Sequence, residues 1–261
     1  MNWTYDNIYR LTNESISGAT PSGAVGYGLD PVGNRLSLTS TMQGILSGSW
    51  TYDANDRVSQ TEQYDANGNT TLTGARTFTY EFENRVKTMT MGATTVALQY
   101  DGDGNRAAKN VGSTITRYLV DDLNPTGYPQ VVEELVNGTV QRTYTYGLQR
   151  INQYQPISST WTSSYYGYDG MGSARFLTDS NGVVTDRYDY DAWGNAVNVS
   201  GSTPNIYLYR AEQYDPDLTL YYLRARYFNP LSSRFLLGIQ QLGPSSTSAH
   251  CTSTYTQVGT R

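Results

Sequence analysis

An all-β fold, laid out as a long array of short antiparallel hairpins, is predicted on three observations. The first is repetition. A Tyr-Asp pair followed within a few residues by Gly-Asn-Arg or a close variant returns at intervals of roughly 12 to 20 residues, the mark of a stacked unit that buries its apolar side only against its neighbours. The second is composition: 24 Tyr stand against 5 Phe, with hydrophobic residues at 38% and charged residues at 16%. Such an interior closes with aromatic rings and polar ladders, and Tyr and Thr suit a half-buried pleated surface. The third is turn chemistry, since 25 Gly with abundant Asn and Asp supply the positive-φ positions that tight turns need.

Taken in order, the copies are YDNIYRL from Tyr5, a degenerate YGLDPVGNRL from Tyr27, YDANDRV from Tyr52, YDANGNT from Tyr64, YEFENRV from Tyr80, YDGDGNR from Tyr100, YDGMGSAR from Tyr168 and YDAWGN from Tyr190. Between them, alternating stretches read as strands: Thr77–Tyr80, Val96–Tyr100, Gln141–Tyr146 and Ile206–Tyr209. Asn67-Gly68, Asn137-Gly138 and Asn181-Gly182 read as hairpin turns. Residues 131–147 therefore predict strand, tight turn, strand. The stretch from Arg175 has the same form, with Phe176–Thr178, a turn at Asp179–Gly182, and a second strand from Val183. Helix content is expected to be low, limited to a short turn within Asp217–Tyr227.

Each residue of the motif has a structural reading. Tyr packs along the strand surface, Asp accepts turn amides, Gly or Asn takes the left-handed conformation, and Arg closes the loop on a carboxylate or carbonyl. A pair repeated this often marks no unique catalytic centre. The run Asp101-Gly102-Asp103-Gly104-Asn105 starts like a calcium loop, but Arg106 stands where Gly is needed and Gly112 where a bidentate Glu is needed.

Charge and motifs remove several function classes. The formal net charge is -5 with Lys and Arg dispersed singly, which offers no basic stripe to a nucleic acid. No apolar run approaches the ~20 residues of a membrane span, and the start of the chain carries no charged-then-apolar leader. Phosphate cradles, metal-ligand spacings and nucleophile elbows are missing from the sequence, so neither cofactor nor metal is expected. One Cys, Cys251, excludes an intrachain disulfide.

At Tyr214 the pattern changes to YDPDLTLYYLRARYFNPLSSRF, ending at Phe235. This stretch resembles the core signature of the Rhs/YD-repeat proteins, matching at Tyr221, Tyr222, Leu223, Arg224, Ala225, Arg226 and Tyr227. Leu220, Phe228 and Ser233 depart from it. Residues 167–195 resemble the adjacent family motif, and with the repeats the likeness covers residues 1–235. It implies a spiralling β-sheet wrapped into a hollow shell, with the core signature as a plug and a C-terminal toxin domain enclosed as partner. It also implies secretion or display at the cell surface as part of a larger bacterial protein. Surface glycans are the alternative partner, for an adhesion protein of the same family.

The expected organisation is a repeat array over 1–160, the core over 161–235 and an aberrant tail over 236–261. The residues expected to carry the architecture are Tyr52, Asp53, Tyr64, Asp65, Tyr100, Asp101, Arg106, Tyr168, Asp169, Tyr214, Asp215, Tyr221, Tyr222, Arg224, Arg226 and Arg234. No catalytic residue is expected. The Ser/Thr-rich tail lacks the acidic and Asp-Pro steps that self-cleaving relatives carry there. Read in another register it restores a family-like segment, so a displaced reading frame is expected from Leu236, which leaves His250 and Cys251 without a role. By the same resemblance, Arg234 is the one member of the self-cleavage machinery expected to survive.

Overall fold

The computed structural model describes residues 1–17 and 22–236, and the expectations about the tail lie outside the described residues. The chain begins with β1 (Asn2–Tyr5), β2 (Leu11–Ile16), β3 (Gly23–Leu29), β4 (Arg35–Ser40) and β5 (Gly48–Ser49), which form one five-stranded meander. The next fourteen strands form a second sheet in strict sequence order. They are β6 (Glu62–Tyr64), β7 (Thr70–Thr73), β8 (Arg76–Tyr80), β9 (Val86–Met91), β10 (Thr94–Tyr100), β11 (Arg106–Val111) and β12 (Thr114–Asp121), continuing through β13 (Gln130–Val136), β14 (Thr139–Tyr146), β15 (Arg150–Ile157), β16 (Thr160–Tyr168), β17 (Ala174–Thr178), β18 (Val184–Tyr190) and β19 (Ala196–Ser200). Four short strands, β20 (Gln213–Asp215), β21 (Leu220–Leu223), β22 (Arg226–Asn229) and β23 (Arg234–Phe235), make a third, separate sheet. Every pairing is antiparallel, as the hairpin signals require. The boundary drawn at 160/161 falls at the edge of β16, whose ladder continues on both sides, whereas strand pairing is interrupted between β5 and β6 and again after Ser200.

The Tyr-Asp motif builds one turn over and over. At Asp6, Asp30, Asp53, Asp65, Glu81, Asp101, Asp169, Asp179 and Asp191 the acidic residue's own N–H donates to the carbonyl four residues on, at 2.8 to 3.0 Å. The amide three residues on donates back to its carbonyl, and that third residue is left-handed in every case, from Tyr9 (φ 62°) and Asp56 (φ 58°) to Gly104 (φ 85°) and Gly194 (φ 89°). This is a tight turn followed by a glycine-type bulge. The ladder register accordingly slips just before the motif Tyr, as between Gln63 and Tyr64, Thr79 and Tyr80, Gln99 and Tyr100, and Gly167 and Tyr168. Bulges bend and twist the strand that carries them, and their repetition on one rim curls the whole sheet. Asn67-Gly68 and Asn181-Gly182 belong to this bulged class, with only their Gly at positive φ. Asn137-Gly138 alone of the three pairs has both residues positive, at 49° and 84°, and forms the two-residue hairpin.

Curling is visible in what the segment after Ser200 touches. Leu218, Leu220, Tyr222, Tyr227 and Leu236 share one core with Phe78, Val86, Met89, Val96 and Leu98 of β8–β10, while Leu208 and Tyr209 pack on Leu177, Tyr188 and Tyr190. Arg35 of β4 reaches the carbonyl of Leu231. One short segment meets strands from β4 to β18 because the sheet wraps around it. At the other end, Val197 and Trp193 pack into the core of Val25, Tyr27, Leu38, Met42 and Ile45, so the first sheet closes against the last turn of the long one.

Two local expectations are corrected. Ile206–Tyr209 is not a strand: Tyr207 makes a single bridge to Gln213, and a 3-10 turn follows at Tyr209–Ala211 with Arg210 and Ala211 left-handed at φ 57° and 55°. Its alternating aromatics face packed rings, not a neighbouring strand. Tyr207 lies edge-on to Tyr144 and under the Arg150 guanidinium, 3.2 Å from the ring centre. The helical turn expected within Asp217–Tyr227 is absent, because Tyr214↔Tyr221 and Tyr222↔Tyr227 pair as hairpins. Among the described residues no helix is long and apolar enough to cross a membrane.

Candidate functional site: the charged docking face of the core hairpins

Arg106 follows the Asp101 turn and points inward from β11. It is 1% exposed, and its partners lie more than a hundred residues further along. Nη1 bonds Asp215 Oδ2 at 2.8 Å and the Tyr227 hydroxyl at 3.2 Å, Nη2 bonds Gln213 Oε1 at 2.7 Å, and its own amide donates to the Tyr222 hydroxyl at 3.0 Å. The guanidinium is sandwiched between Tyr118 and Tyr222, at 4.7 and 4.5 Å from the ring centres. Lys109, on the same face of β11, bonds Asp215 Oδ1 at 2.8 Å and Asp217 Oδ2 at 2.7 Å. Burial pushes the Asp215 carboxyl up, but the two cations outweigh it and hold the group below the usual carboxylate range. Burying charges this deep costs desolvation, and leaving any one of them without its partner would cost more.

Other arginines fasten the same segment around its rim. Arg76 Nη1 donates to the Leu218 carbonyl at 3.0 Å and to Thr219 Oγ1 at 2.6 Å. Arg150, 4% exposed, bonds the Tyr146 hydroxyl and sits on Tyr207. Arg234 Nη1 bonds Asn34 Oδ1 at 3.2 Å and Nη2 the Asp56 carbonyl, with its guanidinium 5.0 Å from the Tyr52 ring centre. Arg224 grips Glu212 through both carboxylate oxygens at 3.0 Å and reaches the Pro129 carbonyl. Arg226 stacks on Phe235 at 4.0 Å.

The expected motif residues thus separate into two groups. Asp53, Asp65, Asp101 and Asp169 each accept two turn amides on Oδ1. Asp53 also binds Arg57, and its carboxyl is held down to about 2, first by the side-chain and backbone hydrogen bonds of Arg57. Tyr52, Tyr100 and Tyr168 each donate to the carbonyl that ends an earlier turn, on Arg35, Val86 and Arg150 respectively. Tyr64 is the exception and bonds Glu62. These residues build the wall. Arg106, Asp215 and Tyr222 are brought together, with Tyr214 packed on Tyr221, whose hydroxyl reaches the Gly194 carbonyl at 2.9 Å. Arg106 does pair with a carboxylate, but with one on the plug and not on its own loop. Loop closure belongs to the residue before it, as in Arg10, Arg57 and Arg85.

Lys109, Gln213, Arg35, Arg76 and Arg150 were not singled out by sequence, and Tyr227 stood out only as a match to the family signature. Arg35 and Arg106 share the position just after Gly-Asn, an available signal. Among the described residues, no group of three His, Cys, Asp or Glu side chains is arranged to hold a metal. His250, Cys251 and the displaced-frame expectation lie outside those residues.

A curled meander of Tyr-Asp hairpins wrapped around a docked core signature defines a YD-repeat shell. The family model of the Teneurin YD-shell matches residues 1–252, and the chain belongs to that family. It is 30% identical over 248 residues to "tRNA nuclease WapA" of Bacillus subtilis (strain 168), covering 89% of this chain and 10% of that protein, and equally so to "tRNA3(Ser)-specific nuclease WapA" of Bacillus spizizenii. The chain therefore spans about a tenth of the length of these curated relatives. Among solved structures, "Crystal Structure of TcdB2-TccC3-TEV" superposes with a TM-score of 0.71 at 16% identity, covering 90% of this chain and 14% of that one. "Crystal Structure of TcdB2-TccC3-Cdc42" gives 0.69 at 17% identity with the same coverage.

Proposed function

We propose that this segment is the plug-bearing end of a shell that encloses a C-terminal effector within a longer, secreted or surface-displayed bacterial protein used in interbacterial competition. The observation that carries the reading is the docked core. Arg106 and Lys109 clamp Asp215 inside the curved sheet, and the first sheet closes against the last turn, so the wall is built to be shut. A closed wall hides strand edges and separates what it holds from solvent. The WapA relatives are named as tRNA nucleases, which makes a nuclease the effector class to test first. The segment's own part is structural.

Limited proteolysis of the parent polypeptide with its downstream domain tests this. The downstream domain should survive at protease levels that destroy it when isolated, and Asp215→Asn should remove the protection. Equal cleavage of enclosed and isolated domain would refute enclosure.

A second reading, glycan binding, is favoured by one observation. Tyr154 and Trp161, 42% and 40% exposed on β15 and β16, hold their rings 5.0 Å apart at 37°. A glycan array that turns negative on Tyr154→Ala would support it.

A further inference from the structure

Where the first sheet meets the last Tyr-Asp turn, two carboxyl groups are buried together. Glu14 of β2 is 1% exposed and Asp191, at the β18–β19 turn, is 2% exposed; both line a cavity of about 130 Å³. Glu14 Oε1 accepts the Tyr27 hydroxyl from its own sheet and the Ala192 amide, at 3.0 Å, from the opposite side of the seam. Its other oxygen, Oε2, is buried without a hydrogen-bond partner. Asp191 accepts the amides of Trp193 and Asn195 on Oδ1 and the Asn195 side chain on Oδ2.

We infer that Glu14 and Asp191 form a proton-operated clasp, which tightens the seam between the first sheet and the last turn in mildly acid solution and slackens it at neutral pH. The groups facing the pair place no ion-paired cation on it. From the first sheet come Tyr27 and Arg35, but Arg35 Nη2 donates to the Leu231 carbonyl, its guanidinium lies 4.5 Å from the Trp50 ring centre, and Nε and Nη1 have no hydrogen-bond partner. Arg35 lies within electrostatic reach of Asp191 but is in no ion pair among the described residues. From the β16–β17 side, Asp169 and Arg175 line the cavity, and Arg175 is paired with Asp189. Tyr190 and Tyr209 complete the wall, and Tyr221 of the core hairpins lies within electrostatic reach of Asp191. Two carboxylates with no cation in direct contact repel one another, and a proton on one removes the repulsion.

The direction follows from Asp191, whose carboxyl is raised to about 6, first by burial and also by the Glu14 charge. The folded chain holds a proton that the unfolded chain, at 3.8, releases. This contribution to stability is fully present below the unfolded value and is lost as pH rises through about 6. The depressed carboxyls Asp6, Asp30, Asp53, Asp179 and Asp215 act oppositely. Their contribution is lost as pH falls below the ordinary carboxylate value, so the two effects occupy different windows.

The test is urea unfolding of the 261-residue chain between about pH 4.5 and 7.5, followed by tryptophan fluorescence, because Trp193 sits at the seam edge-on to Tyr27. The folding equilibrium constant should rise on acidification across this range by on the order of 30-fold, because the full effect is reached only below the unfolded value of 3.8. Asp191→Asn should flatten the profile. Glu14→Gln, which keeps the Oε1 acceptor, should move its midpoint below that of the parent. A flat profile in the parent chain, or the same profile in both variants, would overturn the clasp. Calcium chloride producing the acid-level stability at neutral pH would assign the pair to a metal and overturn it equally.

Discussion

At most of the Tyr-Asp turns, Tyr64 excepted, the work is divided between two side chains. The carboxylate gathers the turn's amides, and the tyrosine hydroxyl closes a carbonyl left by an earlier turn. Tyr100 shows the second role, donating to Val86 at 2.8 Å from a ring whose hydroxyl is pushed up by burial and by neighbouring Tyr227 and Tyr222. Tyr100→Phe should cost about 1 kcal/mol in urea unfolding, the usual value of one such bond plus an unpaired carbonyl. Tyr5, 57% exposed on the free strand β1, serves as control, and Tyr5→Phe should change stability by less than about 0.5 kcal/mol. The carboxylate's role was legible in the sequence because its turn partners lie within four residues, whereas the tyrosine's bond to a carbonyl 14 to 18 residues back was not. Nor was Glu14. It sits outside every motif copy in a strand that reads as solvated, and only the closing of the sheet buries it against a residue 178 positions away.

The hairpin is the element that repeats, and its bulge is what bends it. Hairpin positions, turn residues and antiparallel order followed from alternation and Gly/Asn/Asp placement. The failures at Ile206–Tyr209 and Asp217–Tyr227 share one cause. Both lie in the docked segment, where Tyr faces Arg and Tyr from the surrounding wall, and tertiary packing overrides the local period. Two glycines separate turn strain from packing. Gly172 and Gly194 occupy the same turn position at φ 84° and 89°, yet a Cβ at Gly172 meets nothing within 4 Å, while one at Gly194 lies 2.7 Å from the Tyr209 ring. Gly172→Ala should cost about 1 kcal/mol, from left-handed strain alone. Gly194→Ala should cost about 1 to 3 kcal/mol more, from overpacking against Tyr209. Equal losses in thermal unfolding would show that the docked segment does not press on that turn.

On the scale of the whole molecule, the resemblance from Tyr214 to Phe235 pointed to a wrapped shell with a plug, and the wrapped sheet is what forms. What the sequence did not contain is the fastening. Arg106 and Asp215 are 109 residues apart, and although the position just after Gly-Asn marks the Arg that turns inward, nothing local says which distant carboxylate it meets. Curvature accumulated over many bulges makes that choice. The central claim is that the core hairpins are locked into the curved sheet by this buried pair, and a double-mutant cycle tests it most directly. Arg106→Ala and Asp215→Ala should each destabilise by about 3 to 5 kcal/mol in urea unfolding, since each strands a buried charge. The double variant should fall short of their sum by about 2 kcal/mol or more. Losses that add to within about 0.5 kcal/mol would contradict the lock.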